Sequence, residues 1–203
     1  MHIYYATTIA ENLLRELAPF CEVINIAGSI RRKMEEVKDI ELVCIPKFIS
    51  KSEKNLFDEE INKQTTIHPE FERIIKANGV VMKGKFTGRY MQVAMQRVID
   101  SVAYSINLDL FMPQSHDYYR QFAIRTGSAE YTRRYISSQW VKKGWCGCEG
   151  ELRRQAECYK DKAEVWHLKP IVTEPTLPPV WESEEKFFAW LGVQYLQPQY
   201  RNL

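Results

Sequence analysis

Three acidic side chains and one glycine-led basic run are the residues of this sequence best suited to chemistry. Gly28-Ser29-Ile30-Arg31-Arg32 offers backbone amides, a hydroxyl and two guanidinium groups to an anion. Ten residues beyond Ser29, Asp39-Ile40-Glu41 offers two carboxylates. On a strand these share one face, because side chains alternate with a period of two. A third acid, Asp109, lies in the apolar stretch Ile106-Asn107-Leu108-Asp109-Leu110-Phe111. An acid turned inward there is costly unless a partner or a metal holds it. A phosphate grip beside hard oxygen ligands suits nucleotidyl transfer, in which two Mg²⁺ ions roughly 3.5–4 Å apart stabilise the attacking and leaving oxygens. Asp39 and Glu41 would hold the ion on a triphosphate, and Asp109 the ion that activates a 3′-hydroxyl. Gly28 keeps a Cβ out of the way of the phosphates, Ser29 donates to a phosphate oxygen, and Arg32 offers paired donors to the β/γ charge. Taken singly, each feature has an ordinary reading: exposed acids on a strand edge, a Gly-Ser turn, a solvated Arg-Arg pair. It is their combination, at this spacing and with strand-like flanks, that is specific.

Several elements must position these groups. Apolar residues at helical spacing (Ile9, Leu13, Leu14, Leu17) predict a helix from about Tyr4 to Leu17, ended by Pro19. Cys21 to Ala27 reads as a strand, with a turn at Gly28-Ser29 and a short helix from about Ile30. Ile40 to Ile45 reads as a buried strand. Ser50 to Thr66 shows no clear period and reads as a loop or peripheral helix. Pro69 to Asn78 reads as a helix closed by Gly79. Val80 to Met82, Tyr90 to Met95 and Tyr104 to Phe111 read as strands added antiparallel to the sheet that holds the acids. Beyond Pro113, Tyr118 to Ala123 reads as helical, Arg125 to Ser128 as a turn, and Ala129 to Lys143 as a helix ended by Gly144. Trp145 to Cys148 is a strand and the proline-rich 170–179 an extended loop. A last helix is capped by Ser183 and ended by Gly192. The fold class is therefore α+β, a mixed, largely antiparallel sheet flanked by helices with a smaller α/β lobe after it.

The 203 residues, 45% hydrophobic and 27% charged, suit a globular protein with a real core. No apolar run approaches the ~20 residues needed to cross a bilayer, and the N-terminus carries no basic-then-apolar secretory pattern. Five irregularly spaced cysteines do not make a disulfide framework, so a reducing cytoplasm, or wherever its DNA lies, is the expected location. Cys146, Cys148, Cys158 and His167 do not follow a common zinc-site spacing. A net charge of +2 neither demands nor excludes nucleic acid, so the distribution of basic residues matters more.

Gly28-Ser29-Ile30-Arg31-Arg32 with Asp39-Ile40-Glu41 resembles the signature of the polymerase-beta nucleotidyltransferase superfamily. Arg125-Thr126-Gly127-Ser128 resembles the Tyr-Phe-Thr-Gly-Ser turn of family X DNA polymerases, and Lys142-Lys143-Gly144-Trp145 the end of the helix after it. Glu182 to Gly192, then Tyr195 and Pro198, are similar to the closing segment of those enzymes. The resemblance implies a palm over residues 1–112 and a thumb-like lobe over 113–203. It implies Asp39, Glu41 and Asp109 as catalytic metal ligands for two Mg²⁺ (or Mn²⁺) ions, Gly28, Ser29 and Arg32 on the triphosphate, and Thr126 and Gly127 beside the nucleotide sugar. With 27 residues ahead of Gly28, a minimal palm-plus-thumb layout is expected, gripping DNA through Arg133, Arg134, Lys142 and Lys143. The implied activity is template-directed, gap-filling DNA synthesis on a primer-template by a monomer without membrane contact. The chain departs from the pattern at Glu41, where the family carries Asp, and at Ile124-Arg125, where it carries Tyr-Phe. Asn107 replaces an Arg, and Lys38 a Gly. Two alternatives stay open: a template-independent nucleotidyltransferase acting on RNA or DNA ends, a small molecule or a protein, and a nucleotide- or DNA-binding protein that has lost catalysis.

Overall fold

The computed structural model describes residues 1–54 and 60–203. Helix α1 (Ile3–Leu17) buries Ala6, Ile9, Ala10, Leu13 and Leu17, the face that its three- and four-residue spacing predicts. Strand β1 (Cys21–Ile26), the short helix α2 (Gly28–Arg31), β2 (Asp39–Pro46), β3 (Phe48–Lys54) and β4 (Glu60–Ile67) follow. Next come α3 (Pro69–Asn78), β5 (Val80–Gly84), β6 (Tyr90–Ile99) and β7 (Val102–Phe111). The main sheet has the order β1-β2-β7-β6-β5. Strands β2 and β7 run parallel, joined through everything from β3 to β6. The other pairs are antiparallel. The molecule is thus α+β with a mixed sheet.

Alternation decides what each face of this sheet does. Ile40, Leu42, Met91, Val93, Met95, Leu108 and Leu110 point one way and bury against α1 and α3 in one continuous core. On the opposite face Val43 and Phe111 are covered by Tyr118 and Phe122 of α4 (Tyr118–Thr126). After α4 a helical run comprises α5 (Ala129–Tyr131), a π-helical turn over Thr132–Ser137, and α6 (Ser138–Lys142). Two small ribbons follow, β8 (Trp145–Cys148) with β9 (Glu151–Arg154) and β10 (Cys158–Lys160) with β11 (Trp166–Leu168), and then α7 (Glu184–Leu191). Tyr131, Trp140, Trp145, Trp181, Phe187, Phe188 and Leu191 form a second core in this C-terminal part. Helix α7 begins where Ser183 accepts from the Lys186 amide and ends at Gly192, whose φ of 79° is left-handed.

Three expectations are corrected. The segment read as a loop or helix over 50–66 contributes to a two-stranded ribbon, β3 with β4, whose connection at 55–59 lies outside the described residues. A ribbon outside the main sheet needs no alternating apolar face, so runs such as Lys51-Ser52-Glu53-Lys54 carry no signal of it. The turn placed at Arg125-Thr126 is instead the last turn of α4, capped at Gly127. Finally, Tyr104 to Phe111 is antiparallel to β6 but parallel to β2. Among the described residues no helix is long and apolar enough to cross a membrane.

Candidate active site

Strand register arranges the acids. Val43, Phe111 and Tyr90 form one row across β2, β7 and β6. Glu41, Asp109 and Gln92 form the next, and Asp39, Asn107 and Ala94 the third. Helix α4 packs on the first row. Beyond it the face opens: Glu41, Asp109 and Asp39 are half-buried and Asn107 is exposed. The acids therefore stand at the margin of the covered region, where a carboxylate is partly stripped of water yet reachable.

That placement changes the proton affinity of Glu41 and Asp39. Burial, then the charge of Asp39, pushes Glu41 up to about 7, against an opposing pull from Arg32. Burial and the neighbouring Asp109 also raise Asp39. Arg32 and Arg125 feel both burial, which lowers them, and the field of the acids, which opposes it. The glycine of the basic run has a reason the sequence did not reveal. Gly28 has φ +62°, and a Cβ there would lie 1.7 Å from Oε2 of Glu41. The extra methylene of Glu41 carries its carboxylate back over Gly28, so the close approach at this glycine is to the protein's own acid.

The two arginines divide their work. Arg31 gives two hydrogen bonds to the Glu184 carboxylate, at 3.0 and 2.8 Å, and a third to the Thr126 hydroxyl at 2.7 Å. Its guanidinium lies 3.8 Å from the centre of the Phe122 ring. Arg32 donates to the Asn202 side chain and to the Thr126 carbonyl, each at 2.7 Å, while facing Glu41 and Asp39. The Ser29 hydroxyl is buried without a hydrogen-bond partner, so it would have to turn outward to meet an anion.

No known family model matches the chain, and no curated protein matches it.

Thr126 and Gly127, expected beside a sugar, are fully or nearly buried. Thr126 serves Arg31 and Arg32, and a Cβ on Gly127 would strike Tyr131 and Thr132. Arg133, Arg134, Lys142 and Lys143 are all exposed along the helical run, with Arg134 3.8 Å from Glu130. His167 and Cys158 lie on opposite faces of the β10–β11 ribbon, because Tyr159 pairs with His167 and Cys158 with Leu168. Cys146, Cys148 and Cys158 pack instead against Trp166 and Leu168.

Three contributors escaped the sequence reading. The Tyr90 hydroxyl and the Gln92 amide both bond to Asp109. Arg125 lies over Phe111 at 4.0 Å, with a buried, unpartnered Nε within the field of Glu41 and Asp109. The available signal was the alternation of Tyr90 and Gln92 with Met91, Val93 and Met95, which sets them on the acid face. Among the described residues no three His, Cys, Asp or Glu side chains already close around one point as metal ligands. Glu41 folded over Gly28 and Asp109 tied to β6 account for this: the carboxylates share a face without converging. Three hard oxygen donors on one sheet face, two of them with raised proton affinity, nevertheless form a donor set that fits divalent cations.

Proposed function

We propose that this protein is a metal-dependent nucleotidyltransferase of the family X DNA polymerase type, with residues 1–112 as palm and 113–203 as thumb-like lobe. It moves a nucleotidyl group from a nucleoside triphosphate to the 3′-hydroxyl of a DNA primer, directed by a template. The observation that carries this reading is the register that makes Glu41 and Asp109 neighbours on parallel strands, one row from Asp39, on the open part of one sheet face.

Two Mg²⁺ ions would be held by Asp39, Glu41 and Asp109, and when bound would stabilise the charge on the attacking and leaving oxygens. The chain's own groups do the rest. Ser29 would turn its unpaired hydroxyl to the triphosphate, and Arg32 brings a cation to the acids while remaining anchored through Thr126 and Asn202. Arg31 ties α2 to α7 through Glu184, which keeps the phosphate-facing turn fixed relative to the C-terminal lobe. Burial beside α4 strips water from Glu41 and strengthens its interaction with any cation that arrives. The exposed Arg133, Arg134, Lys142 and Lys143 supply phosphate contacts, so DNA binding weakens with rising salt.

Primer extension on gapped DNA with Mg²⁺ and deoxynucleoside triphosphates tests the reading. Wild type extends, and Asp39→Ala loses several kcal/mol of transition-state stabilisation, about 10³-fold in rate. Equal extension by Asp39→Ala overturns it. Extension without a template assigns the protein to terminal transfer. Triphosphate binding by calorimetry without turnover assigns it to binding alone.

A further inference from the structure

We infer that Tyr90 and Gln92 are a pair of positioning residues that decide which oxygen of Asp109 meets a divalent cation; the inference rests on the transfer site proposed above. The Tyr90 hydroxyl and the Gln92 Nε2 amide each lie 2.9 Å from the same atom, Oδ1 of Asp109. Among the described residues Oδ2 accepts no hydrogen bond. An oxygen that already accepts two donors has its lone pairs occupied, and its twin is the one free to ligate. The carboxylate torsion of an aspartate is otherwise broad and roughly two-fold, so either oxygen could be presented. Two donors on one atom remove that choice.

Both donors are themselves held. Gln92 is the direct cross-strand neighbour of Asp109. Tyr90 sits one row along, its ring packed on Phe111 at 5.2 Å, and its hydroxyl leans back to reach the acid. A phenol is protonated at neutral pH, so the Tyr90 hydroxyl is a donor to the carboxylate there. Such outer partners of metal ligands fix orientation, and losing them commonly weakens metal affinity or activity 10- to 100-fold, roughly.

The test uses the full chain and two substitutions that preserve bulk, Tyr90→Phe, which keeps the ring on Phe111, and Gln92→Met, which keeps the length. Mn²⁺ binding is titrated by electron paramagnetic resonance, and kcat, the KM for the triphosphate and the half-saturating Mg²⁺ concentration are measured alongside thermal midpoints. Each variant is expected to bind Mn²⁺ roughly tenfold more weakly, and to need correspondingly more Mg²⁺. The KM for the triphosphate and the melting midpoint stay near wild type, which a purely structural role would not produce. Variants that bind Mn²⁺ as wild type does overturn the inference. If binding depends on Tyr90 and Gln92 while wild type transfers no nucleotide, the positioning stands and the polymerase reading fails. If wild type transfers nucleotides and both variants match it in metal dependence, the reverse holds.

Discussion

Glu184 and Glu41 are both glutamates withdrawn from water, yet they hold their protons in opposite ways. Glu184 is only 4% exposed, and burial alone would raise it. Hydrogen bonds from Arg31 and Arg201 overcome that and keep it below the ordinary carboxyl range. Glu41 shares a sheet face with two other acids and is raised to about 7. Where a carboxylate is answered twice by guanidinium groups, the charge is a structural fastening. Where three carboxylates are left with remote or partial answers, the protein holds unspent attraction for a cation from outside. The contrast separates a site that holds the lobes together from one suited to binding a metal.

The comparison breaks most visibly at its structural half. Glu184→Gln leaves Arg31 and the fully buried Arg201 without their counter-ion, and should cost about 3–5 kcal/mol in urea unfolding. A loss below about 1 kcal/mol would mean that the fastening contributes little more than a surface pair.

The other half is sharpened by pH. With Glu41 at about 7 in the fold against 4.5 ordinarily, the native state keeps a proton that the unfolded chain has released. Glu41 alone should therefore cost about 3 kcal/mol of stability as pH rises from about 4.5 to 7. Asp39, raised by burial and by Asp109, adds in the same direction. Melts in metal-free buffer at pH 5 and pH 8 should show the fall in wild type and a flatter profile in Glu41→Gln. Glu184, depressed, contributes stability that is lost only as pH drops through its lowered value, outside this window. Added Mg²⁺ should restore stability at pH 8, and a wild-type profile indifferent to Mg²⁺ would count against the cation site.

The smallest effect on stability concerns Gly28. A side chain at φ +62° costs roughly 1–2 kcal/mol. Gly28→Ala should also push Glu41 out of its place, so turnover should drop further than the melting midpoint predicts. Equal losses in both would mean that the carboxylate's position over Gly28 is incidental.

Much of this arrangement could be read from residue order. The helix over Ile3–Leu17, the strand carrying Asp39 and Glu41, the helix Pro69–Asn78 and the Ser183 cap all show in local pattern, because periodicity and capping are local physics. The acid set was legible for the same reason: two carboxylates at a period of two, and a third breaking an apolar run. What stayed hidden depends on partners distant in sequence. Arg31 binds Glu184 153 positions away, and nothing near Arg31 hints at it. Arg125 stands over Phe111 because of how α4 crosses the sheet, and Gly28 makes room for an acid thirteen residues later. The β3–β4 ribbon left no apolar rhythm to follow.

The parallel pairing of β2 with β7 has one more consequence. Asp109 sits between Leu108 and Leu110, both fully buried. Sliding β7 by a single position would turn its carboxylate into the leucine-rich interior and push both leucines out into water, a doubly penalised mistake. Apposition of the acids thus acts as a checksum on folding: Glu41 and Asp109 stand side by side only where β2 and β7 have paired in this register.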